Sequence, residues 1–317
     1  MQAGMPAVQS RASGTLALQS AMPTIPFCKF HGFGNDYIVI ERDDVPGDLR
    51  LGELAKAICH RHIGAGSDGI AVIGPNAGGT ADFFCEIVNP DGSVAGFSGN
   101  GTRCAVAYLY YKNIWTAPTL TLRTRSGEKR FERLNTDENG FVFRAEIGQP
   151  KFSPAEVPFL SEPGAAATGF PDDDRVVDYH LEVAGGPVSV SCVNVGNPVA
   201  CIFVDEFPND WRGIGRSLEV HSAFPARANI VFVKTIDRAD IEIRIWERGA
   251  GETSASGTCS AGSAVLSAFT GRTDRHVKVH SPGGVTDVLW RDDDEILLTG
   301  RAELSYCGEW PLAQARP

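Results

Sequence analysis

One pattern occurs twice in this 317-residue chain and limits its architecture more than any other feature. A Gly-Asn turn opens an apolar stretch at Gly34-Asn35-Asp36 and again at Gly196-Asn197-Pro198. Ser98-Gly99 follows Asn35 by 63 residues, and Ser256-Gly257 follows Asn197 by 59. Each Ser-Gly element opens an apolar run with small residues in its first turns, Cys104 to Tyr111 and Ser260 to Phe269, which reads as a helix. Two matched spacings imply duplicated domains that face each other across a cleft. Chance likeness between glycine-rich loops is the competing reading.

Between these landmarks the chain alternates short apolar strands with turns. Strands are expected at Tyr37 to Ile40, Ile70 to Ile73 and Phe83 to Val88, with a helix over Leu51 to His60. Asn89-Pro90-Asp91-Gly92-Ser93 is turn chemistry. Thr119 to Thr124 and Lys129 to Leu134 form a hairpin across Ser126-Gly127. Residues 148–178, rich in Pro, Gly and acidic residues, read as a surface connection. Later strands fall at Tyr179 to Val183, Val188 to Val193, Cys201 to Val204, Ile230 to Val233, Ile241 to Trp246, Thr286 to Trp290 and Glu295 to Leu298. Residues 1–26 read as a disordered tail without the apolar core of a signal peptide, and ordered structure is expected from about Phe27.

The acidic balance, 29 Lys+Arg against 39 Asp+Glu, argues against nucleic acid or an anionic membrane as partner. It leaves room for a small anionic substrate, which one arginine or helix N-terminus can hold. No segment has transmembrane length without a charge or a breaker. The eight cysteines contain no CxxC pair and no zinc spacing, so no metal is expected. They read as small buried hydrophobes, with no disulfide in a reducing cytoplasm.

Each Ser-Gly turn carries its own chemistry. Glycine allows close backbone approach, and the following helix aims unpaired N–H groups at the cleft. Gly99-Asn100-Gly101 and Gly257-Thr258 can therefore hold a carboxylate from two sides, although plain helix capping by Ser98 or Ser256 is the simpler alternative. Neither loop fits a nucleotide-binding motif. Arg248 suits a bidentate carboxylate, and Glu247 suits a substrate ammonium or acid/base work, if the two are more than a surface ion pair. Asn35, Asn89, Asn197 and Asn229 stand at strand ends or turns, where asparagine is common anyway; together they would suit a zwitterionic amino acid.

These motifs, with Ser98-Gly99-Asn100-Gly101-Thr102-Arg103-Cys104 and Glu247-Arg248-Gly249-Ala250-Gly251-Glu252-Thr253, resemble the diaminopimelate epimerase family over roughly residues 27–310. The resemblance implies an α+β fold of two pseudo-symmetric domains, each a mixed, mainly antiparallel sheet wrapped around a central helix, with the active site in the cleft between them. The domains are expected at 27–147, completed by 299–311, and at 148–298. It implies a cytoplasmic isomerase with no cofactor or metal, and it allows a homodimer. The reaction would exchange LL- and meso-diaminopimelate, one thiolate removing the α-proton while an opposite thiol delivers another. Asn35, Asn89, Asn197, Asn229 and Arg248 would contact the substrate, and Gly99, Asn100, Gly257 and Thr258 would bind its carboxylate.

By this resemblance Ser98 and Ser256 are expected to occupy both thiol positions, and Val199 to stand where the family has histidine. Glu247, partner of the second thiol, is kept, and Cys104 and Cys259 fall on helix positions after the turns. Because a serine hydroxyl is a poor base without a strong neighbour, two-thiol epimerisation is expected to be slow or absent. The catalytic candidates are Ser98, Ser256 and Glu247. A one-base isomerase using Glu247 alone and a non-catalytic amino-acid-binding protein are the alternatives.

Overall fold

A computed structural model describes residues 23–138, 140–161, 175–183 and 186–314. One series of elements runs through it twice. The first comprises β1 (Thr24–Gly32), β2 (Asn35–Glu41), α1 (Leu51–Ile58), β3 (Ile70–Pro75), β4 (Phe83–Val88), β5 (Val94–Ala95), α2 (Gly99–Tyr111), β6 (Thr119–Thr124), β7 (Gly127–Asp137) and β8 (Gly140–Gly148). After β9 (Tyr179–Val183), the second comprises β10 (Gly186–Asn194), β11 (Pro198–Phe203), α3 (Trp211–Glu219), β12 (Asn229–Thr235), β13 (Asp240–Glu247), β14 (Gly251–Thr253), α4 (Gly257–Phe269), β15 (His276–Ser281), β16 (Gly284–Trp290) and β17 (Ile296–Pro311).

The pairing repeats as well as the order. β1–β2 and β10–β11 are antiparallel, β2–β3 and β11–β12 parallel, β3–β4 and β12–β13 antiparallel, β4–β6 and β13–β15 parallel. Parallel neighbours need a crossover, and a helix lies within each one. In the first half the strands close a ring, β1-β2-β3-β4-β6-β7-β8-β17 and back to β1. β17 also pairs with β16 through Ile296 to Thr299, so one strand belongs to both halves.

The sequence of each central helix explains its position. α2 is buried from Gly99 to Tyr110 and α4 from Gly257 to Ser267. Small and apolar residues on every side suit a helix surrounded by sheet. Both helices and the inner strand faces form one continuous core, including Phe30, Val106, Val231 and Val265. The outer faces carry separate clusters. α1 covers the first sheet through Leu54 and Ile58, and α3 covers the second through Trp211 and Leu218. β13 illustrates the division: Ile241, Ile243 and Ile245 point into the shared core, while Trp246 packs under α3. A Cβ on Gly215 would lie 2.8 Å from that of Trp246, so glycine sets the approach.

Several expectations need correction. The first strand starts at Thr24, ahead of the expected Phe27: Thr24 to Phe27 pair with Gly308 to Pro311 and Ile25 is fully buried; residues 1–22 of the expected tail lie outside the described residues. The 148–178 connection is not wholly superficial: Val157, Phe159 and Val176 enter the outer core of the second half, while 162–174 lie outside the described residues. A disulfide does occur. Cys28 on β1 and Cys307 on β17 are directly cross-strand, with Cα atoms 4.0 Å apart, and register alone brings them together. The other six cysteines are free and buried. Among the described residues no helix is long and apolar enough to cross a membrane.

Candidate active site

The two Ser-Gly turns meet at the centre of the molecule. A Cβ built on Gly99 would lie 3.3 Å from the Gly257 Cα, so the first residues of α2 and α4 are in backbone contact. Beside them opens a cleft of about 720 Å³. Asn35, Asn89, Ser98, Gly99, Asn197, Asn229, Glu247, Arg248, Ser256, Gly257 and Thr258 all line it. Asn100 does not. Its side chain is 2% exposed, donating to Asn35 Oδ1 at 3.0 Å and accepting from Arg103 at 3.0 Å.

The two serines differ in their partners. Ser98 caps α2, its Oγ accepting from the Gly101 amide at 3.1 Å, and it donates to the Tyr37 phenol oxygen at 2.9 Å. Ser256 makes no side-chain cap; it donates to Glu247 Oε1 at 3.0 Å. Burial raises the Glu247 pKa above the usual carboxylate value, and the Ser256 hydrogen bond offsets this only in part. α4 therefore begins with uncapped amides aimed at the gap, and α2 keeps its first two. Two helix dipoles converge there, which favours an anion.

The asparagines form the frame. Asn229 accepts the Arg248 amide at 2.9 Å, and Asn197 donates to the Phe97 carbonyl at 3.3 Å, across the cleft. The Arg248 guanidinium donates to the Ala226 carbonyl at 3.1 Å and to Asn197 Oδ1 at 3.5 Å, and it lines the cleft. Asn89 donates to Ser93 at 2.9 Å. Asn35 donates to Asp68 at 2.8 Å. Arg103, buried without a carboxylate and pushed down to about 10 by desolvation, fixes the Asn100 amide and, through it, that of Asn35.

Sequence reasoning missed the wall formed by Tyr37, Cys59, His60, Arg61, Ser67 and Asp68. Arg61 grips Asp36 with two hydrogen bonds of 2.7 and 2.8 Å and also reaches Asp68; Lys29 lies 2.6 Å from Asp36. Burial alone would raise the Asp36 pKa, but the hydrogen bonds and charges of Arg61 and Lys29 outweigh it and hold it below the usual range. Asp68 shifts the other way, through burial and the neighbouring Asp36 charge. The sequence signal for this wall is the glycine-rich segment Gly64-Ala65-Gly66-Ser67-Asp68-Gly69, with Arg61 just before it. Among the described residues no His, Cys, Asp and Glu grouping could hold a metal ion.

The expectation that serine has replaced the family's catalytic cysteines is corrected. Cysteines are present at Cys59 and Cys201, both free thiols. Cys59 lines the cleft and accepts from Ser67 at 3.1 Å, burial pushing its thiol up to about 11. Cys201 lies behind α4, 3.5 Å from Ser263, and is pushed up to about 12. Missing thiols are therefore no ground for expecting slow turnover. Val199, where the resemblance implied histidine, is fully buried against Gly262 of α4.

The family profile described as Diaminopimelate epimerase matches residues 27–153 and 191–305. The diaminopimelate epimerase of Pelotomaculum thermopropionicum is 33% identical over 293 residues, covering 90% of this chain and 98% of the relative. That of Caldanaerobacter subterraneus is 37% identical over 286 residues, covering 89% and 98%. Among solved structures, a hydroxyproline epimerase from Agrobacterium vitis shares the fold, with a TM-score of 0.67 at 15% identity over 93% of this chain and 96% of that one.

Proposed function

The chain belongs to the diaminopimelate epimerase family and is an isomerase, and from that premise we propose that it inverts the α-carbon of LL- or meso-diaminopimelate by proton transfer, without a cofactor. The observation that carries this reading is the contact between the α2 and α4 tips, with Ser98 on one side and the Ser256–Glu247 pair on the other. A carboxylate held on the tip amides puts its α-carbon between two opposed hydroxyls. As the α-proton leaves, charge grows on that carboxylate, where fixed amides and dipoles stabilise it without reorganising. Glu247 is the base, acting with Ser256, and Ser98 stands on the opposite face. Asn35, Asn89, Asn197, Asn229 and Arg248 hold the rest of a zwitterionic substrate. Asn100 contributes its backbone amide and keeps its side chain for Asn35. The working halves are 27–147, completed by 299–311, and 148–298.

The test is incubation of LL-diaminopimelate with the protein in deuterated water, following loss of the α-proton signal and formation of the meso isomer. Deuterium entering with inversion is expected. No exchange at high enzyme concentration would overturn the proposal. A one-base isomerase is the second reading, because Glu247 is the carboxylate hydrogen-bonded to a helix-tip serine while Ser98 has a phenol instead. Exchange with complete retention of configuration would favour it.

A further inference from the structure

The two sides of the cleft are chemically unequal. On the α4 side Ser256 faces a carboxylate, which when ionised can only accept a proton. On the α2 side Ser98 faces another hydroxyl, and two hydroxyls can rotate so that either donates. We propose that Tyr37 is a positioning residue that acts through Ser98 and makes the α2 side the proton-delivering face, opposite Glu247. This rests on the α-carbon inversion proposed above.

The phenol is held in place by its surroundings. A Cβ on Gly69 would lie 2.8 Å from the Tyr37 ring, and one on Gly101 would lie 2.9 Å from it. Two glycines thus accept the ring, and one of them also caps onto Ser98. Tyr37 itself lines the cleft. Burial, with the charges of Glu247 and Asp68 nearby, raises its pKa, so the phenol carries its proton at neutral pH.

The proton count closes. On the α4 face the Cα–H bond breaks; its proton passes to Ser256 as the Ser256 proton moves to Glu247. The electron pair stays on the substrate, spread into its carboxylate. On the α2 face that pair forms a new C–H bond with the Ser98 proton, and Ser98 takes the proton of Tyr37. The resulting phenolate recovers a proton from water in the cleft, and Glu247 returns one to it.

The experiment compares wild type and Tyr37→Phe in deuterated water, starting from each isomer of diaminopimelate. Tyr37→Phe is expected to lower kcat for inversion about tenfold or more, with KM changed less than about twofold. For the isomer that presents its α-proton to Glu247, exchange should persist while inversion fails, because the carbanion is reprotonated from the same side. Its exchange-to-inversion ratio should therefore rise about tenfold, and that of the other isomer should not. A ratio that is unchanged, or that rises equally for both, overturns the assignment. A wild type without any exchange overturns the reaction and this role together, whereas active wild type with unaffected Tyr37→Phe removes only the role of Tyr37. Ser98→Ala should reproduce the same one-sided change; should the phenylalanine variant not fold, a symmetrical loss in Ser98→Ala is the refuting result.

Discussion

Alanine at either helix tip tests the backbone contact on which the site depends. In Gly99→Ala the new Cβ would lie 3.3 Å from the Gly257 Cα; in Gly257→Ala it would lie 3.2 Å from the Gly99 Cα and 3.6 Å from Leu298 Cδ1. Carbon atoms prefer about 3.5–4.0 Å, so the tips must part by a few tenths of an ångström. Both helices are enclosed by sheet, and overpacking at such a place costs about 1–3 kcal/mol. Alanine recovers about 0.4–1 kcal/mol by restricting the unfolded chain. Each single variant should therefore lose about 0.5–2 kcal/mol, seen as a lower urea midpoint and a thermal midpoint down by roughly 1–3 °C for a protein of this size. Displacing the amides should also lower kcat/KM about tenfold, since misplacement by about 1 Å can cost a hundredfold. The two sites touch, so the double variant should depart from additivity by more than about 0.5 kcal/mol. Single variants with unchanged midpoints and full kcat/KM, or a strictly additive double variant, would refute the reasoning.

Glu247→Gln should reduce turnover at least about a hundredfold, and the wild-type kcat/KM profile should have an acid limb centred above 4.5, the ordinary value for glutamate, because burial raises the folded pKa. The sign for stability is opposite. A raised carboxylate pKa favours the fold below 4.5 and the benefit is lost as pH rises through the folded value, so Glu247→Gln should gain stability at neutral pH in urea titrations. Reducing Cys28–Cys307, which spans 279 residues, should lower stability by about 5–6 kcal/mol on the chain-entropy estimate; thermal melts with and without reductant measure it. Asn100→Ala should raise KM several-fold with little change in kcat, because it releases the Asn35 amide without touching Glu247; steady-state kinetics separates the two.

What could be read in the sequence was whatever is local. The spacing from Asn35 to Ser98 and from Asn197 to Ser256 survives as two copies of one strand order, and both Ser-Gly turns do start helices. α3 was missed because Trp211-Arg212-Gly213-Ile214-Gly215 is a poor helix former; packing of Trp211 and Leu218 on the outer sheet overrides that propensity. β8 carries a legible alternation, with Phe143, Ala145 and Ile147 buried on one face. The disulfide and the Lys29–Asp36–Arg61–Asp68 cluster depend on which segments become neighbours, and no window of sequence contains that. Tyr37 looked like one more strand residue. Only the fold reveals that its hydroxyl ends beside Ser98.

The closing position of β17 bears on how the molecule is made. β1 spends synthesis without its outer neighbour, because residues 303–311 that pair with it are translated some 280 positions later. A ribosome-bound nascent chain can assemble β2, β3 and β4, yet the first barrel stays unsealed until the last strand emerges. The half that begins first is finished last, leaving a β1 edge that a chaperone or another unfinished chain could meet in the interval.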